Sequence, residues 1–284
     1  MRPWSWTHPV WHPTVWLVCA ALLCGYYLAL DYIGPKHVQP GEPVATRAQK
    51  RNAILAVLTI LVAGEWPIHT LAERYLYSVH MMQHLLLVMV AAPLMLAATP
   101  GWMARAVLPG RLMNVARAVT RPLPALIIFN ATLVLTHWPT MVDASVHSEW
   151  AHFGLHVLLF VTALIMWMPI LSPLLELPRL SYPGQMLYLF LQSLVPTVPA
   201  SFLTFGDRPL YHVYETLPRM GFSALADQRF AGLEMKLLGG AILWVLIVVM
   251  FVKWYRIENG EGIDILGYRD VERTMNRMEL TKHG

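Results

Sequence analysis

Two pairs of histidines, each four residues apart, are the side chains in this sequence best suited to bind a metal ion. His80 and His84 lie in the segment YSVHMMQHLLL, and His152 and His156 lie in EWAHFGLHVLL. A spacing of four places both imidazoles of a pair on one face of a helix. A fifth histidine, His137, closes another apolar segment in the string THWP. Buried histidines need partners and imidazole binds copper, zinc, iron or nickel, so the pattern predicts a transition-metal site.

Methionine adds a softer ligand to this pattern. The sequence contains 16 methionines, and thioethers favour Cu(I). Five of them are placed near the same end of the predicted helices as the histidine pairs: Met81, Met82, Met141, Met220 and Met235. Because methionine also fills gaps in helix packing, this composition favours copper only slightly.

Two other interpretations of the histidines stay open at this point. Two helices could each supply an axial histidine to a haem, although a partner four residues further on lies only about 6 Å deeper, too close to serve a second stacked haem. The imidazoles could instead hydrogen-bond one another and backbone carbonyls, as links between helices. Metal binding is the preferred interpretation because two such pairs occur on different helices.

Acidic residues near the histidines are candidates to tune a metal site. Glu65 lies within an apolar segment, where a carboxylate is expected to be functional or to be paired, with Lys236 as a candidate partner. Asp143 and Asp227 are predicted to lie in loops at the histidine end, where they could guide a cation towards the imidazoles. Asp207 is expected to be solvated.

The elements that would position these residues are apolar helices. Hydrophobic residues make up 56% of the 284 residues and charged residues 13%, whereas soluble proteins carry roughly 25% charged residues. The composition therefore excludes a soluble fold and predicts an all-α bundle of seven transmembrane helices over residues 1–255. A cytoplasmic tail is predicted over 256–284. The spacing of its apolar residues allows a short helix near 267–280. Seven segments are long enough to cross about 30 Å of hydrocarbon: roughly 14–33, 52–71, 76–98, 123–138, 150–171, 185–205 and 230–252.

The distribution of basic residues orients the predicted bundle. Fifteen of the 21 Lys and Arg residues fall after the odd-numbered segments, and five fall on the other side. Basic residues favour the cytoplasm, so the N-terminus is predicted outside and the C-terminus inside. The histidine pairs then enter the third and fifth helices from the outer side, where His137 ends the fourth helix. His69 and His147 are placed on that side too.

Composition also limits the class of function. Two cysteines, Cys19 and Cys24, are too few for a disulfide framework. The formal net charge of +4 is small and its cations flank the predicted helices, so nucleic-acid binding is excluded. We interpret the first apolar segment as a retained helix and not as a signal peptide, because no small-residue cleavage site follows it.

Three long blocks of the sequence carry a family resemblance. They are HMMQHLLLVMVAAPLMLAATP, THWPTMVDASVHSEWAHFGLHVLLFVTALIMWMPILSP and SFLTFGDRPLYHVYETLPRMGFSALADQRFAGLEMKLLGG. In this order they resemble the CtaG-type cytochrome c oxidase assembly factors, which are seven-helix bacterial membrane proteins. The resemblance covers roughly residues 50–255. The first helix, with His8 and His12, and the tail lie outside it.

The resemblance implies a non-enzymatic function in the bacterial inner (plasma) membrane. Such a protein would bind copper at the outer side of the bundle and help to deliver it to the catalytic subunit of a haem–copper oxidase of the respiratory chain. An upstream copper chaperone could supply the metal. Around Met235 the family pattern is apolar, whereas Glu234 and Lys236 flank Met235 here.

The residues and the resemblance together give a predicted site. The predicted metal ligands are His80, His84, His137, His152, His156 and Met235. Glu65, Asp143 and Asp227 are predicted to lie beside these ligands and to tune them.

Two alternative functions remain from other classes. One is a seven-helix zinc hydrolase, with three histidines on the ion and a carboxylate that activates water, for which Ser78 and Asp143 are available. The other is a haem-b electron carrier of the membrane.

Overall fold

A computed structural model of the protein describes residues 10–39, 41–218 and 220–259, and within these residues it contains helices and loops but no β-strand. The all-α class predicted from the sequence is therefore confirmed. The α-helices are α1 (Pro13–Leu28), α2 (Arg47–Gly64), α3 (Ile68–Arg74), α4 (Tyr77–Leu85), α5 (Ala92–Ala98), α6 (Gly101–Val107), α7 (Arg111–Val119), α8 (Pro122–Thr136), α9 (Pro139–His147), α10 (Glu149–Leu171), α11 (Tyr182–Leu194), α12 (Thr197–Phe205), α13 (Val213–Thr216), α14 (Ala224–Leu233) and α15 (Gly239–Glu258).

Short π-helical stretches join several of these helices into longer rods. Leu86–Ala91 connects α4 to α5, and Glu234–Leu238 connects α14 to α15. A third stretch, Ala29–Ile33, extends α1. Each inserts a wider turn without ending the rod, so side chains on either side of it keep a common axis but change their angular register.

Five of the described rods are long and apolar enough to cross a membrane, or up to seven if each of two bent helix pairs is one span. The five are Pro13–Lys36, Tyr77–Ala98, Glu149–Leu171, Tyr182–Phe205 and Ala224–Glu258. The predicted apolar segments therefore correspond to helices, with three differences in detail.

The second and fourth predicted spans are not single straight helices. The segment predicted at 52–71 is α2 followed by α3, with a bend of 41° between them. The segment at 123–138 is α8, whose 15 residues cover only about 22 Å, and α7 precedes it at a bend of 80°. Proline explains both interruptions, because Pro67 and Pro122 lack the backbone N–H that a continuing helix requires.

The last rod is longer than the predicted span 230–252. It begins at Ala224 and ends at Glu258, so 35 residues are helical. The sequence prediction started too late because Asp227, Gln228 and Arg229 interrupt the hydrophobic run, although two of these three side chains are buried. The predicted helix near 267–280 lies outside the described residues.

The buried core lies between α8, α10, α11 and α15. Phe129, Leu159, Trp167 and Leu189 are almost completely inaccessible. The Trp167 indole N–H donates to the Val88 carbonyl oxygen at 2.8 Å. This bond ties the C-terminal part of α10 to the π-helical stretch that follows α4, so the two helices that carry the histidine pairs are fixed to each other away from the histidines.

A chain of buried polar groups crosses the same core. Asn130 Nδ2 donates to Gln192 Oε1 at 2.7 Å, and Gln192 Nε2 donates to the Tyr188 hydroxyl at 3.0 Å. That hydroxyl donates to the Met166 carbonyl oxygen at 2.8 Å. Between helices in lipid there is little hydrophobic driving force, so packing and such bonds supply the association energy.

Gln192→Leu should destabilise the bundle by about 1 kcal/mol, because it removes one interhelical hydrogen bond, from Asn130, and one bond to Tyr188 within α11; interhelical bonds in membranes average ~0.6 kcal/mol and reach ~1.7 kcal/mol. Unfolding in mixed micelles measures this change. Asn130→Leu should lower the stability of the Gln192→Leu variant by less than it lowers that of the wild type, because the bond between the two side chains is already absent. Ser193→Ala, which removes only a bond to its own helix, is the matched control. A Gln192→Leu variant as stable as the wild type would contradict this role.

Candidate metal centre

One end of the bundle collects the predicted histidine ligands. α4 and α10 begin at this end, so His80, His84, His152 and His156 occupy the first turns of the two helices. α8 ends there, with His137 as its C-cap residue. Helices of opposite direction thus bring five imidazoles to one level.

The two histidine pairs pack directly against each other. Ring centroids are 4.4 Å apart for His80 and His84, and 4.2 Å apart for His152 and His156. Between the pairs, His84 and His156 are 5.0 Å apart and His80 and His152 are 5.2 Å apart. One ring nitrogen from each of His80, His84 and His156 lies within 4.8 Å of the others. We call His80, His84, His152 and His156 the histidine cluster.

Ring nitrogens of the cluster lack hydrogen-bond partners. Nδ1 of His80 and His84, and Nε2 of His152 and His156, are buried and make no hydrogen bond to any described residue. Burying a polar group without a partner costs about 1–3 kcal/mol, and such groups need an explanation such as a bound ion. If the histidines only linked helices, these nitrogens would be bonded. Buried imidazole nitrogens without partners, in rings packed this closely, fit a transition-metal cation.

His137 lies next to the cluster and has a defined free nitrogen. Its Nδ1 is 2.7 Å from the Leu133 carbonyl oxygen, to which it donates, so Nε2 is left with a lone pair. That Nε2 lies 3.3 Å from the Met81 sulfur. Two ligands bonded at about 2.0 and 2.3 Å to one tetrahedral ion are roughly 3.5 Å apart. The sequence analysis predicts that Met81 lies near this end of the bundle, but it does not predict Met81 as a ligand.

The Tyr211 hydroxyl holds the backbone at His137. It donates to the His137 carbonyl oxygen at 2.9 Å, and so satisfies an acceptor at the end of α8. Burial raises the pKa of Tyr211 to about 12. The phenol therefore remains a protonated donor at neutral pH.

Met235 is buried and lines a cavity beside the cluster. His84, His137, Met81 and Lys236 line the same cavity. The structure thus places this predicted ligand near two of the histidines, and the cavity carries both imidazole and thioether groups.

Asp227 has a different position from the one predicted. It lies within α14 and not in a loop, it is buried, and its carboxylate accepts from the backbone N–H of Tyr77 at 2.6 Å and of Ser78 at 3.2 Å. The Ser78 hydroxyl also donates to it. These groups form the first turn of α4, where a negative charge is stabilised by the helix dipole. Asp227 therefore anchors the helix that carries His80 and does not face the ring nitrogens.

The other two predicted acidic residues do not contact the cluster either. Asp143 lies in α9, and its carboxylate forms no hydrogen bond or ion pair with the described part of the chain. Glu65 ends α2 and contacts His12, with its Oε1 3.4 Å from His12 Nδ1. Lys236, proposed as its partner, lines the cavity instead.

A carboxylate that the sequence analysis did not single out does reach the cluster. Glu73 Oε1 lies 3.2 Å from His69 Nε2 and 3.9 Å from His152 Nδ1. His69 and Glu73 are four residues apart, so the spacing that revealed the histidine pairs could have revealed this one. The predicted span 52–71 ends before Glu73, whereas in the structure α3 continues to Arg74.

The fold and the cluster define a class: a helical protein with five to seven candidate membrane spans and a buried group of imidazoles at one end of its bundle. Within that class the chain belongs to the Caa3_CtaG family of cytochrome c oxidase caa3 assembly factors, whose sequence model matches residues 36–257. The predicted family membership is confirmed. Comparisons with curated proteins and with solved structures give no match.

Asp227→Asn should lower the stability of the protein by about 1–2 kcal/mol, because an amide replaces a charged acceptor of helix N–H groups. Metal binding should weaken as well, since Tyr77 stacks on His80 at 6.0 Å and the first turn of α4 would move. Thermal unfolding in detergent and metal analysis measure the two effects. Asp207→Asn, at an exposed position, removes the same charge. If Asp227→Asn and Asp207→Asn had the same thermal stability and bound the same amount of metal, Asp227 would not anchor α4.

Proposed function

We propose that this protein is a copper-binding assembly factor that crosses the bacterial inner membrane seven times and passes copper to the catalytic subunit of a haem–copper oxidase. The observation that carries the proposal is the set of buried, unpartnered ring nitrogens in the histidine cluster of a chain that belongs to an oxidase assembly family. Copper is the cargo of such a protein, and the protein itself catalyses no reaction.

Seven spans follow if each bent pair, α2 with α3 and α7 with α8, crosses the membrane once. The excess of Lys and Arg after the odd-numbered spans then places the N-terminus outside. In this orientation the histidine cluster, the end of α8 and the start of α1 lie at the outer side. The lipid bilayer surrounds the bundle, whose outward-facing side chains are largely apolar.

The ligand types favour copper over harder cations. Imidazole and thioether groups together suit Cu(I), and Met81, Met235 and His137 supply both types beside the cluster. Five imidazoles are more than one ion requires. Neighbouring ring nitrogens at short spacing allow a ligand to be exchanged before the previous one is lost, which a delivery site requires.

The two alternative functions are less compatible with the geometry. A zinc hydrolase needs a carboxylate or hydroxyl free to act on water at the metal, yet the Ser78 hydroxyl is bonded to Asp227 and the Asp143 carboxylate, in α9, does not contact the cluster. A haem would have to fit between axial histidines, but the rings of the cluster lie only 4.2–5.5 Å apart and leave no space for a porphyrin.

The proposed orientation predicts where reporters will function. A reporter that is active only in the cytoplasm should work when it is fused after Gly284 and should fail when it is inserted between Trp138 and Glu149, because basic residues flank the cytoplasmic side. A reporter active only outside should give the reverse pattern. Activity of the cytoplasmic reporter in the second position would move the cluster to the wrong side of the membrane and refute delivery to an outer copper site.

The cluster should bind copper as a unit. Replacing His80, His84, His152 or His156 singly by alanine should remove most of the bound Cu(I), and the His84→Ala/His156→Ala double variant should lose little more. Copper analysis of purified protein after loading measures this, and oxidase maturation in cells should fall in parallel.

His212→Ala is the matched control, because His212 is exposed and lies outside the cluster. It should keep full copper occupancy. If all four single variants also kept full occupancy, the cluster would not be the copper site. Small additive losses of stability, with no metal in the wild type, would instead support a purely structural role.

A further inference from the structure

A second group of metal-ligating side chains lies at the same end of the bundle, outside the predicted site. His12 is the N-cap residue of α1, and His69 and Glu73 lie one turn apart on α3. One ligand atom from each of the three lies within 4.8 Å of the others. His12 also falls outside residues 36–257, the part of the chain matched by the family.

The three side chains converge closely. His69 Nε2 is 3.2 Å from Glu73 Oε1, and the His12 and His69 rings meet edge to face with centroids 4.4 Å apart. Two imidazoles and one carboxylate form a donor set that binds divalent first-row cations such as Zn²⁺, Co²⁺ and Cu²⁺. Three protein ligands also leave coordination positions open for exchange.

Neighbouring groups orient both imidazoles. Glu65 Oε1 accepts from the His12 backbone N–H at 3.3 Å and lies 3.4 Å from His12 Nδ1. This contact occupies Nδ1 and leaves Nε2 of His12 as the ligand atom. Gln83 Nε2 donates to His69 Nδ1 at 3.2 Å and so fixes this ring with its Nε2 directed at Glu73. Without a bound ion Nε2 therefore carries the ring proton and donates it to Glu73, and a cation at Nε2 would displace that proton. Carboxylates that hold the remote nitrogen of a metal-binding histidine are typical of metal sites.

The group is more accessible than the histidine cluster. Side chains of His12 and His69 are 16% and 15% exposed, whereas His152 is buried. The two groups are nevertheless in contact, because Glu73 Oε1 lies 3.9 Å from His152 Nδ1 and the His69 and His152 rings are 5.4 Å apart. An ion held by Glu73 would therefore be next to a ligand of the buried cluster.

We propose that His12, His69 and Glu73 form a second metal site, which binds a divalent first-row transition-metal cation at the outer rim of the bundle and lies in series with the histidine cluster. Glu65 holds His12 in place for this site, which gives a role to the intramembrane carboxylate predicted to tune the cluster. The serial arrangement rests on the proposed function, whereas the existence of the second site does not.

Zn²⁺ and Cu(I) serve as probes for the two sites in the purified full-length protein. Glu73→Gln and His12→Ala should each lose one Zn²⁺ per chain and keep the Cu(I) of the cluster, whereas His84→Ala should lose Cu(I) and keep that Zn²⁺. Glu65→Gln should weaken Zn²⁺ binding about 10- to 100-fold without abolishing it, as expected for a group that only orients a ligand. Retained Cu(I) also shows that a variant is folded.

Glu215→Gln is the matched control. Glu215 forms a His–Glu pair with His212 at 2.8 Å, but this pair is exposed and is not joined by a third ligand among the described residues. The Glu215→Gln variant should therefore bind as much Zn²⁺ as the wild type. Full Zn²⁺ occupancy in Glu73→Gln and His12→Ala would overturn the second site, and so would joint loss of both metals at unchanged thermal stability. Absence of Cu(I) from the wild type, with Zn²⁺ still lost in Glu73→Gln, would refute the proposed function and leave the second site standing.

Discussion

The structure depends on one unfavourable arrangement: the buried imidazoles of His80, His84 and His152 and the half-buried one of His156 pack together, and each has a buried ring nitrogen without a hydrogen-bond partner among the described residues. At about 1–3 kcal/mol for each such group, the cluster costs an amount comparable with the whole stability of many domains. Stability alone would select apolar side chains at these positions. A cation coordinated by these nitrogens, as proposed, would offset the cost, because the lone pairs would gain a partner stronger than the water they lost.

The surrounding elements are arranged to resist the relaxation that this cost favours. Asp227 fixes the first turn of α4 through two backbone N–H groups, and Trp167 fixes α10 to the stretch that follows α4. His137 is held by its own helix at Leu133 and by Tyr211. None of these anchors touches a nitrogen that would bind the ion. The rings are therefore held in position by bonds made elsewhere, which leaves their free nitrogens available for ligand exchange.

The sequence was sufficient to predict what depends on helical periodicity. A spacing of four put His80 with His84 and His152 with His156, and the common direction of the two helices put the pairs at one level. Contacts that depend on where helices end or break could not be predicted in this way. Glu65 meets His12 only because α2 stops there and α1 starts beside it, and the bend at Pro67 carries Glu73 back towards His152. Asp227 was placed in a loop because its charge interrupts the hydrophobic run, although the carboxylate is satisfied by helix N–H groups that no local pattern reveals.

The order of ligand types across this end of the bundle has a consequence for the cation. The rim offers a carboxylate with two imidazoles, the cluster offers imidazoles alone, and the cavity beside the cluster adds the thioethers of Met81 and Met235. Ligand softness thus increases from the rim to the cavity, and softer ligands favour Cu(I) over divalent cations. A divalent ion is best held where water can still complete its coordination, whereas a Cu(I) ion needs fewer ligands and loses less by leaving water. Under the two proposals the side chains at this end of the bundle would separate cations by ligand type, and the cluster would be the place where the preferences for divalent cations and for Cu(I) meet.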